Sequence, residues 1–265
     1  MKNVAKWWQT IKISWSKYTA YRLNFFLQVI GPAIVFFFIK YNLWSSIYGG
    51  DEQQVIQGYN FQEMIHYHIW TLIISLLAQG HNSMNLSEDI RLGRISSYLI
   101  YPFNFWEFHT ASFLSFQFLQ LLISLVTIAI ISSFGFLADL TVSQLAIGIL
   151  FCFYISFFWY LLQYLCGILA FWLEETWILR VILQTLSLFL SGAILPLDFY
   201  PKAFVDLLQW TPFPYLTYYP VKIFEGDYSK LPIAIAVIGL WIMIAFLLNH
   251  LIWKRGIKNY TAAGI

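Results

Sequence analysis

Residues 231–253 read LPIAIAVIGLWIMIAFLLNHLIW, 23 positions without an Asp, Glu, Lys or Arg. As a helix this stretch extends about 34 Å, enough to cross the roughly 30 Å hydrocarbon core of a bilayer. Toward the N-terminus five further stretches repeat the pattern or come close to it: 23–40, 61–80, 108–134, 145–173 and 181–197, the last being the shortest. They are too long and too continuously apolar for the alternating strands of about 10 residues that build an outer-membrane barrel. Across 265 residues the chain is 60% hydrophobic with a mean hydropathy of +0.67. Soluble domains are about 45–50% apolar. The expected fold is an all-α membrane protein with six transmembrane helices.

Six spans place both termini on one side, and Lys and Arg identify that side. With the termini cytoplasmic, the inner segments hold Lys2, Lys6, Lys12, Lys17, Arg22, Arg91, Arg94, Arg180, Lys254, Arg255 and Lys258, and the outer ones only Lys40, Lys202, Lys222 and Lys230. This is the positive-inside bias. The formal charge of +2 thus conceals a basic inner face and gives no reason to expect nucleic acid. Lys17 and Arg22 abut the first apolar run with no small-residue cleavage site after it, so no cleaved signal peptide is expected. Cys152 and Cys166 fall in the fourth span, about 21 Å apart along one helix, too far to pair.

Residues 1–22 read as an amphipathic helix. At about 100° per residue Val4, Trp7, Trp8, Ile11, Trp15 and Tyr18 share one arc, with Lys2, Lys6, Lys12 and Lys17 outside it and Ile13 as the exception. Such a helix lies in the inner headgroup layer, as a plain anchor or as a docking surface for a cytoplasmic partner. Residues 23–265 form one membrane domain, since no repeat, low-complexity tract or long linker divides them. Gly31-Pro32 predicts a bend in the first span, because Pro removes a helical hydrogen bond. Residues 41–60 read as a polar, acidic outer loop, 135–144 as a tight outer turn, and Glu174-Glu175-Thr176 as an inner turn.

Two connecting segments are unusual. Between the second and third spans, residues 87–102 read SEDIRLGRISSYLIYP inside an expected inner loop at 84–106, in a chain only 11% charged. Charges of both signs require water, while Ile90, Leu92, Ile95 and the run 98–100 are poorly placed in a free loop. A short helix docked against a soluble partner satisfies both demands. The second segment, 198–230, carries Pro201, Pro212, Pro214, Pro220 and many aromatics, with an amphipathic stretch at 203–210. Too polar to span and too apolar to hang free, it is expected to lie on the outer surface or to re-enter the membrane where protein shields its backbone. Gly192 and Pro196 let the fifth span break into it, and with Pro212 and Pro214 they mark a candidate outer gate.

Reactive chemistry is sparse. No G-x-x-x-x-G-K-[ST] motif occurs, so ATP hydrolysis would have to reside on another chain. Glu63 and His66 share a helix face and would supply two metal ligands at most. No serine elbow, H-E-x-x-H or C-x-x-C is present, and Glu174-Glu175 has no identifiable acid/base partner. The polar residues within the spans are neutral glutamines. Of these Gln117, Gln120, Gln163 and Gln184 are candidates for lining a pathway or for interhelical hydrogen bonding. An ion-coupled carrier usually has an ionisable residue in mid-membrane, which is not evident here.

The order of these features resembles the membrane subunit of ABC-2-type transporters. The resemblance rests on the basic amphipathic helix, the six spans and the inner loop E-D-I-R-L-G-R-I-S-S-Y-L-I-Y-P. It extends to G-A-I-L-P-L at 192–197, P-F-P-Y at 212–215 and R-G-I-K-N-Y-T-A-A-G at 255–264. It implies a permease without a cofactor of its own, paired with an identical or different second permease and with two ATPase subunits that hold ATP and Mg. It also implies that the inner loop is the coupling helix, with Glu88, Asp89, Arg91, Gly93, Arg94, Tyr98 and Pro102 meeting the ATPase. Membrane lipid is the remaining partner, the location is a bacterial inner or plasma membrane, and no substrate carries over. An intramembrane enzyme or a non-transporting assembly scaffold is the alternative.

Overall fold

The computed structural model describes residues 2–260 except 21, 50, 52, 80–83, 101–103, 138 and 139. Among the described residues the chain is helical, without a β-strand. Helix α1 (Lys2–Ala20) is followed by α2 (Arg22–Tyr48), α3 (Phe61–Gln79), α4 (Met84–Arg91) and α5 (Ile95–Ile100). Then come α6 (Phe105–Ser133), α7 (Val142–Ile168, extended by a tight turn Leu169–Phe171) and α8 (Trp177–Leu190). The chain ends with α9 (Lys202–Leu208), α10 (Tyr218–Phe224) and α11 (Leu231–Asn259). Three segments, Phe105–Ser133, Val142–Phe171 and Leu231–Lys258, are each long and apolar enough to cross a membrane, and Trp177–Leu190 is a shorter apolar helix.

The distribution of polarity is inverted relative to a soluble protein. Ile34 and Phe38 of α2, Leu122, Val126 and Ile130 of α6, Val181 and Phe189 of α8, and Leu240, Met243 and Leu247 of α11 are exposed. Gln117, Gln120, Ser156, Gln163 and Asn249 are buried. Lipid accepts the first set at no cost, and the second must find partners inside. Asn249 Nδ2 donates to the Leu161 carbonyl at 3.0 Å, pinning α11 to α7. Gln117 and Gln120 of α6 donate to the Leu77 and Leu76 carbonyls at 2.5 and 2.8 Å. Those carbonyls belong to the last turn of α3, which the helix cannot pair by itself.

Helix α3 is the centre of the bundle, packed by α2, α6, α7 and α10, and buried at nearly every position from Met64 to Ala78. Its start is fixed by a capping box, Asn60 N to Glu63 Oε2 at 2.8 Å and Glu63 N to Asn60 Oδ1 at 2.9 Å. The carboxylate of the Glu63/His66 pair is thereby engaged. Helix α10 wedges between α3 and α7: the Phe224 ring stacks on Trp70 at 4.3 Å and 8° and fills the notch left by Gly148.

Hydrogen bonds from two side chains, Trp241 and Gln79, fix the position of the α9–α10 hairpin. Trp241, about 15 Å along α11 from Leu231, donates its indole N–H to the Trp210 carbonyl at 3.1 Å. Gln79, the last residue of α3, donates to the Leu216 carbonyl at 3.2 Å and the Thr217 hydroxyl at 3.3 Å. Pro212 and Pro214 are therefore buried at the turn, α9 leads to it along the exposed side of the bundle, and α10 returns packed between α3 and α7.

Three sequence expectations change. Helix α2 continues past position 40 to Tyr48, so only residues 49–60 remain as the connecting loop. Burial drives this extension: Trp44 Nε1 donates to His68 Nε2 at 2.7 Å and the Tyr48 hydroxyl to the Tyr59 carbonyl at 2.7 Å. The polar residues of the spans are not all neutral, since Lys40 and His68 are buried inside α2 and α3. In α1, Trp8 and Ile13 are exposed while Ser14 is buried, because the helix packs along α6. There Ser115 Oγ donates to the Ile11 carbonyl at 3.1 Å, and the Tyr18 and Ser112 hydroxyls meet at 3.2 Å.

Candidate functional site

Helices α4 and α5 form a compact hairpin at one end of the bundle. Leu86, Ile90 and Ile95 are buried and anchor it, and Leu86 fills the notch at Gly167 of α7. Gly93 makes the turn with φ 72°, a left-handed conformation natural to glycine. With three apolar residues facing in, Glu88, Arg91, Leu92, Arg94 and Ser97 are left exposed on the other side. The structure thus brings Glu88, Arg91 and Arg94 together as a charged surface beside an apolar tip, Leu92.

Asp89 is different. Only 7% exposed, it receives Arg94 Nη1 at 3.2 Å and the Tyr98 hydroxyl at 3.3 Å, with His109 Nε2 of α6 at 3.7 Å. Burial pushes its carboxyl above the usual range, and the hydrogen bonds and charge of Arg94 and Tyr98 only partly offset this. Asp89 and Tyr98, expected among the contacts to the ATPase, lie behind the exposed charges and join α4 to α5 and α6. Pro102 lies outside the described residues.

The hairpin is also tied to the 172–176 turn. Arg91 Nη1 donates to the Glu174 carbonyl at 3.0 Å and meets Glu175 Oε1 at 3.3 Å. With both side chains about half exposed, that ion pair contributes between zero and about 1 kcal/mol. A firmer link lies beneath it, where Arg180 of α8 donates through Nη2 to Ser87 Oγ at 2.5 Å and to Thr176 Oγ1 at 3.1 Å.

The second locus is the broken end of α8, which stops at Leu190 rather than running to 197. Gly192 has φ 86° and turns the chain away. The carbonyls freed by the break are taken up from several directions, the Tyr200 hydroxyl reaching Phe189 O at 3.0 Å. Tyr218 N donates to Ser191 O at 2.9 Å, the Tyr67 hydroxyl to Gly192 O at 2.8 Å, and Lys40 Nζ to Ile194 O. Below Pro196, which is buried, Asp198 accepts the hydroxyls of Tyr59 at 2.6 Å and Tyr218 at 2.8 Å. Burial and the adjacent Asp198 carboxylate hold the Tyr59 phenol above its ordinary range. A cleft of about 520 Å³ opens here, lined by Tyr59, Glu63, His66, Asp198, Lys222 and Glu225 among others. Of the candidate gate residues, Gly192 and Pro196 sit at this latch, while Pro212 and Pro214 lie buried at the turn of the hairpin.

The glutamines separate in the same way. Gln117 and Gln120 cap α3; Gln163 is buried with its side-chain oxygen unpaired; Gln184 is exposed on α8 beside exposed Thr185. Sequence reading placed Ser87 in the coupling segment without a role of its own and missed His109, Lys40, Tyr67 and Arg180 as site residues. Arg180 alone left a signal, a lone cation at the start of an apolar run.

No curated protein matches the chain. A family model described as ABC-2 family transporter protein matches residues 21–264. That match spans the charged hairpin, the broken helix and the α9–α10 hairpin and leaves out α1, so the greater part of the architecture lies within it. The chain therefore belongs to the ABC-2 family of transporter proteins.

Proposed function

We propose that this chain is the permease subunit of an ATP-driven exporter, coupled through α4 and α5 to separate ATPase subunits that hold ATP and Mg. The observation that carries this reading is the exposed surface of Glu88, Arg91, Leu92 and Arg94 on a hairpin anchored by buried Leu86, Ile90 and Ile95. A force applied there is delivered to the bundle, because the hairpin has apolar contacts to α7 and polar ties to α8. In this reading α2, α3, α6, α7, α8 and α11 are the six spans, α1 lies at the inner interface, and the α9–α10 hairpin re-enters from outside. Both termini face the cytoplasm of a bacterial cell. The pathway forms against a second permease, a copy or a sister chain, and the exposed polar pair Gln184-Thr185 within the largely apolar exposed surface of α8 supports a protein neighbour there over lipid. The family membership supports a permease and weighs against an intramembrane enzyme, as does the engagement of Glu63 in capping α3.

A photo-crosslinking residue at Leu92 tests the partner. In native membranes it is expected to capture an ATPase; adducts to lipid alone, or none, would move the scaffold reading forward. Sidedness is tested with single cysteines at Gln53 and Ser97, both exposed. An impermeant thiol reagent added to intact cells should label Gln53→Cys and spare Ser97→Cys, and the reverse pattern would overturn the topology.

A further inference from the structure

Helix α8 is held at its two ends and scarcely between them. Within it only Arg180 and Ser187 are buried, and its main packing partners are α7 and the turn Phe213–Leu216. At one end it meets the charged hairpin through Arg180; at the other it runs straight into Ser191, Gly192 and Ile194, whose carbonyls are held by Tyr218, Tyr67 and Lys40. The helix between is 14 residues, a rod of about 21 Å.

The Arg180 end is chemically unbalanced. The side chain is 8% exposed, none of the ion pairs among the described residues includes it, and Nε and Nη1 have no hydrogen-bond partner. A guanidinium offers five donors in a rigid fork. Here one nitrogen does all the bonding, to Ser87 on α4 and to Thr176 before α8. A buried charge so poorly paired does not favour the folded state over an apolar side chain of similar size, so packing stability gives no reason for an arginine here.

We infer that Arg180 is the joint through which a displacement of α4 reaches the broken end of α8, the Ser87 hydroxyl moving along the fork from Nη2 toward the empty Nη1. This rests on the permease reading above. It adds that the route from the coupling surface to the Asp198 latch runs along α8, and that Arg180 acts as a positioning residue. The fork permits such a shift while the bond to Thr176 persists, so α4 and α8 stay connected throughout the movement. Helix α8 follows as a rigid body, because little else grips its length.

The test uses Arg180→Met, Arg180→Lys and Ser87→Ala in the full chain. Spin labels at Glu88→Cys and Ile178→Cys, both exposed positions, report the α4–α8 distance without any partner. The parent should give one narrow distance distribution, Arg180→Met and Ser87→Ala broad ones, and Arg180→Lys a narrow one again. In the complex with its ATPase, a cysteine at Lys202 reports the far end by its labelling rate with and without ATP. The nucleotide-driven change should fall about fivefold or more in Arg180→Met, at the scale of ordinary coupling between two sites. The ATPase should still co-purify, and the unfolding temperature should be no lower than the parent's.

A lower unfolding temperature with loss of the ATPase would make Arg180 a plain structural cation, and Ser87→Ala then decides whether the α4–α8 link carries motion. An unchanged distance distribution in both Arg180→Met and Ser87→Ala would overturn the joint. Should even the parent fail to retain an ATPase, the permease reading fails instead, while the distance measurement still judges the joint.

Discussion

Reversing both exposed guanidiniums, Arg91→Glu with Arg94→Glu, should abolish ATP-driven transport in a protein that still inserts and folds. Truncating one member of a desolvated charge pair at an interface costs about 2–5 kcal/mol, and reversal costs at least as much, so ATPase affinity should fall by roughly 30-fold to several thousand-fold. The internal cost differs between the two positions. Arg91 gives up an exposed pair with Glu175, a loss of about 1 kcal/mol or less. Arg94 also serves buried Asp89, and a glutamate there would set a second carboxylate beside one already disfavoured by burial. The single Arg91→Glu variant should thus lose the complex with little change in unfolding temperature, whereas Arg94→Glu should lose the complex and unfold at a lower temperature while still inserting. Co-purification and thermal unfolding separate the two effects. Full ATP-dependent transport with normal complex formation in the double variant would falsify the coupling assignment.

The chain made some of this legible and hid the rest for a physical reason. Membrane-length helices are written as local runs, so α6, α7 and α11 fall on the expected 108–134, 145–173 and 231–253, although α7 ends earlier, at Ile168, and α11 runs on to Asn259. The charged hairpin was legible because charge is rare in this chain and costly in lipid. The helix break at Ser191-Gly192 was signalled by glycine and proline nearby.

What sequence could not supply was partnership at long range. Tyr67 reaches Gly192 across 125 positions, Arg180 reaches Ser87 across 93, and Lys40 reaches Ile194 across 154. A tyrosine in an apolar run reads the same whether its hydroxyl meets a freed carbonyl or the headgroup layer. Asp89 looks equivalent to Glu88 within its loop, and only the folded hairpin, which brings Tyr98 and His109 against it, sets the two apart. Lys40 shows the limit of counting charges, since a cation at the end of an expected span is a buried donor once α2 runs on to Tyr48.

The conformational role of Gly192 can be separated from its packing role with a matched control. Gly192→Ala and Gly135→Ala both place a Cβ on a left-handed residue, at φ 86° and 85°. Each should lose about 1–2 kcal/mol for that conformation. At Gly135 a Cβ meets nothing within 4 Å. At Gly192 it would stand 2.8 Å from the Tyr67 hydroxyl and 3.1 Å from Tyr218 Cβ. Tyr67 cannot swing aside, for it is fully buried with its ring against Tyr59, His68 and Tyr218. Overpacking of this kind costs about 1–3 kcal/mol, so Gly192→Ala should be less stable than Gly135→Ala by that difference. Removing the obstructing hydroxyl with Tyr67→Phe should return part of it, and the cycle of single and double variants measures the coupling. Equal losses at the two glycines, read by denaturant unfolding in detergent, would mean that Tyr67 does not hold the broken end of α8. If Gly192→Ala also raises the cysteine labelling rate at Lys202 without nucleotide, the Tyr67–Gly192 bond is what keeps that end closed at rest.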